Sequence, residues 1–440
     1  MQKTLSSLGL VAFAGLSLSA LPQQVDAEPV HFTYLWHMEQ PIYWPDRRGD
    51  GPWRYERLWQ SLQQKNAARR TPRTTSSRSS RSRIASRRTS TGRARRCRRS
   101  RTCPRRAQVS YSGGLIANLQ SLAEAGGQLG YSSDPFADYR VARGWQTSGG
   151  VGVPRLDVVR FAFHHPLLPL CDDELIRKEL ALYQEVYAQA WGSGAPMSTG
   201  FFPSEMAFST RLVPLLQEAG IEWSFVSAEK ISRAFADFPV QYGSGGINTD
   251  PPNRADQLNG AAGDYVRTSI SRGVAPAEAA PQGLTPQRVR YVDPETGAVS
   301  EIIAVPCSQS LGWEDGYGPM GVSRLDALAP FNDAQRPMLI VLAHDGDNAW
   351  GGGYSYYNEA VPNFVGAASG AGYVPTVVER YLADHPVPAD AVVHVEDGAW
   401  VNADGDFGSP QFVNWVEPLR DGSGVLDPKN GWSVDVRAWR

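Results

Sequence analysis

Two carboxylates 140 positions apart each stand just beyond an apolar, strand-like run. Glu205 closes Gly200-Phe-Phe-Pro-Ser-Glu205, and Asp345 follows Pro337-Met-Leu-Ile-Val-Leu-Ala343 and His344. Residues at the carboxyl ends of parallel strands converge on one mouth, so positions distant in sequence can face each other there. Two carboxylates so placed beside aromatic rings could break a glycosidic bond. One, ionised, attacks the anomeric carbon; the other, protonated, donates to the departing oxygen and later deprotonates water. Glu205 suits the nucleophile and Asp345 the acid/base, with the carboxyls expected roughly 5–7 Å apart. Asp347, two residues on, is an anion that would raise the pKa of Asp345 and help it keep its proton. Singly these signals are weak: an acid after a strand is more often a helix cap, and Asp345-Gly-Asp-Asn is built of turn formers. Trp350 and Gly351-Gly-Gly353 favour an aromatic lip over a plain turn.

The elements that must position these groups alternate short apolar runs with helical patterns, which predicts an α/β fold with a largely parallel sheet. Strands are expected at residues 30–36, 158–163, 199–202, 222–226, 302–305, 338–343 and 392–395, and helices at 115–125, 172–190, 209–219 and 376–383. Asp172-Asp173-Glu174 suits a helix start, and Leu175, Leu180, Leu182, Val186 and Tyr187 are read as its buried face. Residues 239–300, rich in Gly, Pro, Asn and Asp, are expected to form a long loop. His37, His165, Glu205, Glu229 and Asp345 each follow a strand candidate, a plausible ring around one mouth.

The formal net charge of −2 conceals a segregation: residues 65–106 hold 17 of the 43 basic residues and no acid, leaving 26 basic against 45 acidic residues elsewhere. An acidic body argues against nucleic acid as a partner. Between Trp59 and Tyr111 there is no aromatic residue, and Ile84 is the lone large aliphatic in the Arg/Ser run, so that stretch cannot enter a core and is expected to be disordered. Its abrupt edges resemble a GC-rich gene read in the wrong frame over about forty codons, and so long a structureless insert in a compact domain is uncommon. Lys3, the apolar Leu5–Leu21 and Val25-Asp-Ala27 read as an export signal spanning residues 1–27, implying a secreted or periplasmic protein with no later membrane span. Outside the basic run only Cys171 and Cys307 remain, a pair that could bridge in an oxidising compartment.

Trp36-His37-Met-Glu-Gln40-Pro41, His165-Pro-Leu-Leu-Pro-Leu170, Phe202-Pro-Ser-Glu205-Met-Ala-Phe-Ser and Asp345-Gly-Asp-Asn-Ala-Trp350 resemble, in this order along the chain, motifs of glycoside hydrolase family 57. The similarity runs from about Pro29 onward, interrupted by the basic run. The resemblance implies a retaining mechanism on α-glucans or maltooligosaccharides, within an incomplete seven-stranded (β/α) TIM-like barrel covering residues 28–395 and needing no metal or other cofactor. It places the nucleophile on Glu205 and the acid/base on Asp345. Sugar contacts fall on Trp36, His37, Gln40, His165, Asp347 and Trp350.

Two departures stand out. Glu39 occupies a position that the family fills with His, and Asp347 one that it fills with Glu; an extra anion near the sugar would alter the carboxylates or weaken the site. The family carries a helical bundle after the barrel, so residues 396–440 are read as the start of such a region, cut short. Alternatives are a 4-α-glucanotransferase, a glucan-binding protein with impaired catalysis, and a metal-dependent deacetylase or mannosidase-like enzyme, the last needing clustered ligands at metal spacing. If the basic run is a frame error, translating the gene region for residues 65–106 in its other two frames is expected to yield an acid-containing, amphipathic segment. Two frames lacking one would end that reading.

Overall fold

The computed structural model describes residues 28–39, 43–46, 54–56, 106–124, 134–145, 153–192, 196–239, 252–267, 277–318, 320–346 and 355–399. The expected export signal, nearly all of the basic run and the region beyond residue 399 lie outside these, as do Gln40, Asp347 and Trp350. The strands are β1 (His31–Met38), β2 (Tyr43–Asp46), β3 (Arg54–Glu56), β4 (Ala107–Tyr111), β5 (Leu156–Val159), β6 (Gly200–Phe201) and β7 (Trp223–Ser227). There follow β8 (Asp264–Arg267), β9 (Ala277–Ala280), β10 (Gln287–Val292), β11 (Val299–Cys307), β12 (Leu339–Asp345) and β13 (Val374–Pro375). The helices are α1 (Gly113–Glu124), α2 (Ala137–Arg143), α3 (Asp173–Trp191), α4 (Leu212–Glu218), α5 (Ala228–Arg233), α6 (Gln309–Tyr317), α7 (Ser323–Leu328), α8 (Val361–Gly370) and α9 (Val378–Asp384).

The architecture is mixed α/β, in two main sheets. One runs β12-β1-β4-β5, with β13 against the start of β1; the other runs β10-β11-β7-β6. All pairings in the first are parallel, and in the second only β10 is antiparallel. A parallel bridge between Arg160 and Phe201 carries hydrogen bonding from the end of β5 to β6 and joins the sheets. Among the described residues no ladder joins the outer parallel strands β11 and β12, although their Cα atoms come within 8 Å. The closed part of the expected barrel is therefore absent from the observed pairing, while the parallel α/β character holds.

β1 shows why the parallel sheet forms. All eight of its residues are buried, so both faces are covered and the usual polar alternation is lost. Around it a large core joins Phe32, Tyr34, Val109, Val158, Ile340 and Tyr187. A second core, under β7 and β11, packs Leu212, Leu215 and Leu216 of α4 against Val226 and Ile302. α3 begins where expected, the Asp172 carboxylate accepting the Leu175 N–H at 2.8 Å with Asp173 and Glu174 in the first turn. Its buried stripe is Ile176, Leu180, Tyr183, Tyr187 and Trp191, while Leu175 and Leu182 are exposed. The expected face was thus rotated by about one residue. The tyrosines bury large rings yet keep a hydroxyl partner, as Tyr187 donates to the Val158 carbonyl at 2.9 Å.

Three further expectations change. The segment expected as one long loop holds β8 paired with β9, and β10 paired with β11, because Ala277–Ala280 and Val289 are buried in the core. The strand expected at 392–395 is reduced to a single bridge from Val392 to Arg288. Cys171 and Cys307 are free thiols, since Cys307 lies in the larger core while Cys171 packs against the other.

α6 packs directly on β12. A Cβ at Gly312 would strike the carbonyl oxygen of Ala343, a backbone atom that cannot rotate aside. Gly312→Ala is expected to lower stability by about 1–3 kcal/mol, as overpacking does. Urea denaturation checks this: an unchanged midpoint would mean that α6 does not need its close approach to β12.

Candidate active site

Parallel alignment puts the carboxyl ends of β1, β4, β5, β6, β7, β11 and β12 at one end of the sheets. His37 sits in register with Asp345 across β1 and β12, and the His37 carbonyl accepts the Gly346 N–H at 2.7 Å. The His37 ring lies 5.7 Å from that of His165, centroid to centroid, between Phe161 at 4.4 Å and Phe202 at 5.0 Å. His165 Nε2 approaches Glu205 Oε1 at 3.7 Å. A continuous run of neighbours, Asp345–His37–His165–Glu205, therefore links four residues spread over 308 positions of sequence.

Glu205 is held in an unusual backbone conformation. The chain leaves β6 through Phe202-Pro203 into a single tight turn, Ser204–Met206, in which Glu205 has φ 55° and ψ 23° and Met206 φ 50°. A left-handed non-glycine residue costs about 1–3 kcal/mol and persists only where its surroundings over-determine it. Here Met206 and Phe208 are buried on either side of Ala207, and the Ala207 N–H closes the turn on the Ser204 carbonyl at 2.9 Å. The Glu205 side chain stays about a quarter exposed.

Both site histidines are neutral in ordinary conditions. Burial, helped by the adjacent His165, pushes His37 well below the usual imidazole range. Burial lowers His165 from 6.5 to about 4. The Nδ1 of His37 is 2.8 Å from the Ser110 hydroxyl, whereas its buried Nε2 has no hydrogen-bond partner among the described residues.

Glu39, the first departure from the motif, is committed elsewhere. It accepts the Ser112 hydroxyl, whose oxygen also accepts the Leu115 N–H at 3.1 Å, so this anion sits at the N-terminus of α1, where the helix dipole favours it. It also contributes to raising the pKa of His164, which is driven chiefly by the 2.6 Å bond from His164 Nδ1 to Glu179.

Trp36 is buried, stacked against Tyr34, and its indole N–H donates to the Tyr356 hydroxyl at 2.9 Å. Glu229, expected on the mouth ring, is instead 1% exposed within a charge cluster. There Arg233 and Lys230 both pair with Glu396, whose Oε1 also takes the Asn253 N–H at 2.9 Å. Burial raises Glu229 to about 7, despite the pull of Arg233 and Lys230. Asp315 and Tyr356 carried no sequence signal. Both contact His344, at 3.0 Å and 2.9 Å respectively, immediately before Asp345. Among the described residues no group of three His, Cys, Asp or Glu is arranged to hold a metal ion.

Residues 151–239, which span His165 and Glu205, match the glycosyl hydrolase family 57 model. An alpha-amylase of Niallia circulans is 33% identical over 320 residues, 71% of this chain. Both matches support glycosyl hydrolase family 57 for this chain. It spans 24% of the length of that amylase. Among solved structures it shares its fold with an exo-type maltose-forming amylase from Pyrococcus sp. ST04, at TM-score 0.51 and 11% identity over 90% of this chain and 57% of that one. It is also similar to the 4-alpha-glucanotransferase of Thermococcus litoralis, at TM-score 0.48 and 16% identity over 85% and 43% of the two chains.

The lowered pKa of His165 links stability to pH. Between pH 6.5 and about 4 the unfolded imidazole binds a proton that the folded one refuses, so the native state loses stability as pH falls through that window. His165→Gln is expected to make that part of the stability profile less steep, the buried His37 still contributing, as measured by thermal unfolding at stepped pH. A profile as steep as the parent's would remove His165 as the cause.

Proposed function

We propose that this chain is the catalytic part of a retaining glycoside hydrolase acting on α-glucans, with Glu205 as nucleophile and Asp345 as acid/base. The observation that carries the reading is the run of neighbours from Asp345 through His37 and His165 to Glu205 at the common end of parallel strands. Glu205 in its left-handed turn attacks the anomeric carbon as the bond to the leaving oxygen breaks, and Asp345 gives its proton to that oxygen. Asp345 then takes a proton from water, which attacks the same carbon and frees Glu205. His37, buried and with its Nε2 unpartnered among the described residues, and neutral His165 suit hydrogen bonding to uncharged sugar hydroxyls rather than to an anion.

The scaffold for this chemistry is, on this proposal, an incomplete (β/α)7 barrel. The strand order β12-β1-β4-β5, the Arg160–Phe201 bridge, and β6-β7-β11 supply seven parallel strands in chain order around a seam between β11 and β12. Gln40, Asp347 and Trp350 remain proposed sugar contacts on motif similarity. Export is proposed on Lys3, the apolar run Leu5–Leu21 and Ala27. The second reading, 4-α-glucanotransfer, shares the covalent intermediate and differs only in whether a sugar or water resolves it.

Incubation with maltoheptaose and pullulan separates these outcomes: shorter products mean hydrolysis, and products longer than the substrate mean transfer. Glu205→Gln and Asp345→Asn are each expected to cut turnover by about 10³-fold. Undiminished rates in either variant would withdraw that assignment, and tight maltooligosaccharide binding without turnover in the parent would leave a binding protein.

A further inference from the structure

We infer that Trp313 and Tyr317, stacked on the outer side of α6 beside the mouth, form an accessory platform on which a neutral glucan chain rests as it leaves the catalytic cleft; the choice of glucan rests on the function proposed above. None of the four sequence motifs, and no part of the matched residues 151–239, includes this face. Among the described side chains Tyr317, at 56%, is the only exposed Phe, Tyr or Trp; the others are buried or half-buried. A ring kept at the surface by a chain that otherwise packs its aromatics inside suits a partner with one apolar and one wet side.

α6 places these rings near Asp345. A Cβ at Gly312 would strike the Ala343 carbonyl, and one at Gly316 would lie 3.2 Å from the His344 ring, so the last turn of the helix stands level with the residue before Asp345. Gly312, Asp315 and Gly316 make the face turned to β12, with Asp315 Oδ2 3.0 Å from His344 Nε2. At about 3.6 residues per turn, Trp313 and Tyr317 project roughly a third of a turn away from that face, four residues apart and so one above the other. Their ring centroids are 4.3 Å apart with 30° between the planes. Trp313 is half-buried, so it backs the Tyr317 ring and holds it at a set angle.

The polar groups beside the rings fit an uncharged polyol. Glu314, between Trp313 and Tyr317 in sequence, accepts the Arg324 Nε–H from α7 at 2.6 Å, and both side chains are partly exposed. Arg324 Nη2 goes to the same oxygen, Oε2, so Oε1 takes no donor among the described residues and can accept from a sugar hydroxyl. The pair cancels its own charge, which gives a phosphate or carboxylate ligand no advantage over a neutral one. A glucose unit has two sides to match: its C–H face, slightly positive, lies on the negative face of an aromatic ring, and its hydroxyls meet the carboxylate and guanidinium at the ring edge. No bond is made or broken at the platform. It lengthens the stay of a long chain at the mouth and leaves the chemistry to Glu205 and Asp345.

Affinity electrophoresis of the full chain in gels containing soluble starch tests this. The parent is expected to be retarded, and Tyr317→Ala to weaken the dissociation constant for starch by about 3- to 10-fold, the scale of one aromatic contact. Tyr317→Phe keeps the ring and is expected to stay within about 2-fold of the parent. Retardation of Tyr317→Ala equal to the parent's overturns the inference, and thermal unfolding then says what the rings do instead. A pair that merely braces a helix containing Gly312 and Gly316 would lower the melting temperature of Tyr317→Ala and leave retardation untouched. A loss in Tyr317→Phe as large as in Tyr317→Ala also overturns it, as does a parent dimer, seen by sedimentation, that Tyr317→Ala abolishes without changing retardation. Turnover of maltoheptaose distinguishes the failures. A parent that cleaves it yet migrates through starch unretarded loses only the platform, whereas a parent that neither cleaves nor is retarded loses the α-glucan reading as well.

Discussion

The parallel ladder between β1 and β12 is the constraint on which the rest of the structure depends. It pairs His31 with Leu339 at one end and His37 with Asp345 at the other, joining segments more than 300 residues apart in the chain. Bringing such distant segments together costs loop-closure entropy, which grows only slowly with length. The cost is offset by burying every residue of β1 and nearly all of β12. Because register in a sheet is quantised, a slip by one residue would turn His37 and Asp345 to opposite faces. The long apolar runs therefore determine where the polar tip of each strand emerges.

Charge is sorted across the common strand ends, with uncharged rings beside Glu205 and charged groups paired away from it. His37 and His165, nearest Glu205, are kept neutral by burial. Charged side chains nearby lie in compensated groups: Glu396 with Arg233 and Lys230, and Glu179 with His164. Buried pairs of this kind add little net stability, but removing one partner strands the other, so they act as rigid joints between elements. Glu396, for example, ties the end of the described chain to α5 and to Asn253. Glu39 fits the same scheme: a carboxylate in place of the family's histidine is absorbed by Ser112 and the start of α1.

Backbone strain marks the other side of the site. The turn at Ser204–Met206 keeps two consecutive non-glycine residues left-handed, against the preference of any L side chain. Immediately before it, β6 is only two residues long, bonded to Arg160 on one side and to β7 on the other. A short strand fixed on both edges delivers the chain into the turn at a set angle, and the buried Met206 and Phe208 anchor it from below. Glu205 is thus displayed from a rigid feature rather than from a free loop.

The amino-acid sequence by itself determined the α/β class, the strands that lead to His37, His165, Glu205 and Asp345, the cap of α3 at Asp172, and the family resemblance. Each of these rests on local patterning: an apolar run, a helix-start acid, or a short motif. Tertiary structure alone decided what those patterns do not encode. The face of α3 was set by tyrosines seeking carbonyl partners on β5; β8 to β10 formed from a Gly- and Pro-rich stretch because Ala277–Ala280 could be buried; and Glu229 left the mouth for a buried charge cluster. Asp315 follows Glu314 in a Gly-containing helix, and it meets His344 because Gly312 lets that helix lie against β12. Contacts between residues distant in the chain depend on packing geometry, and local residue type carries no record of it.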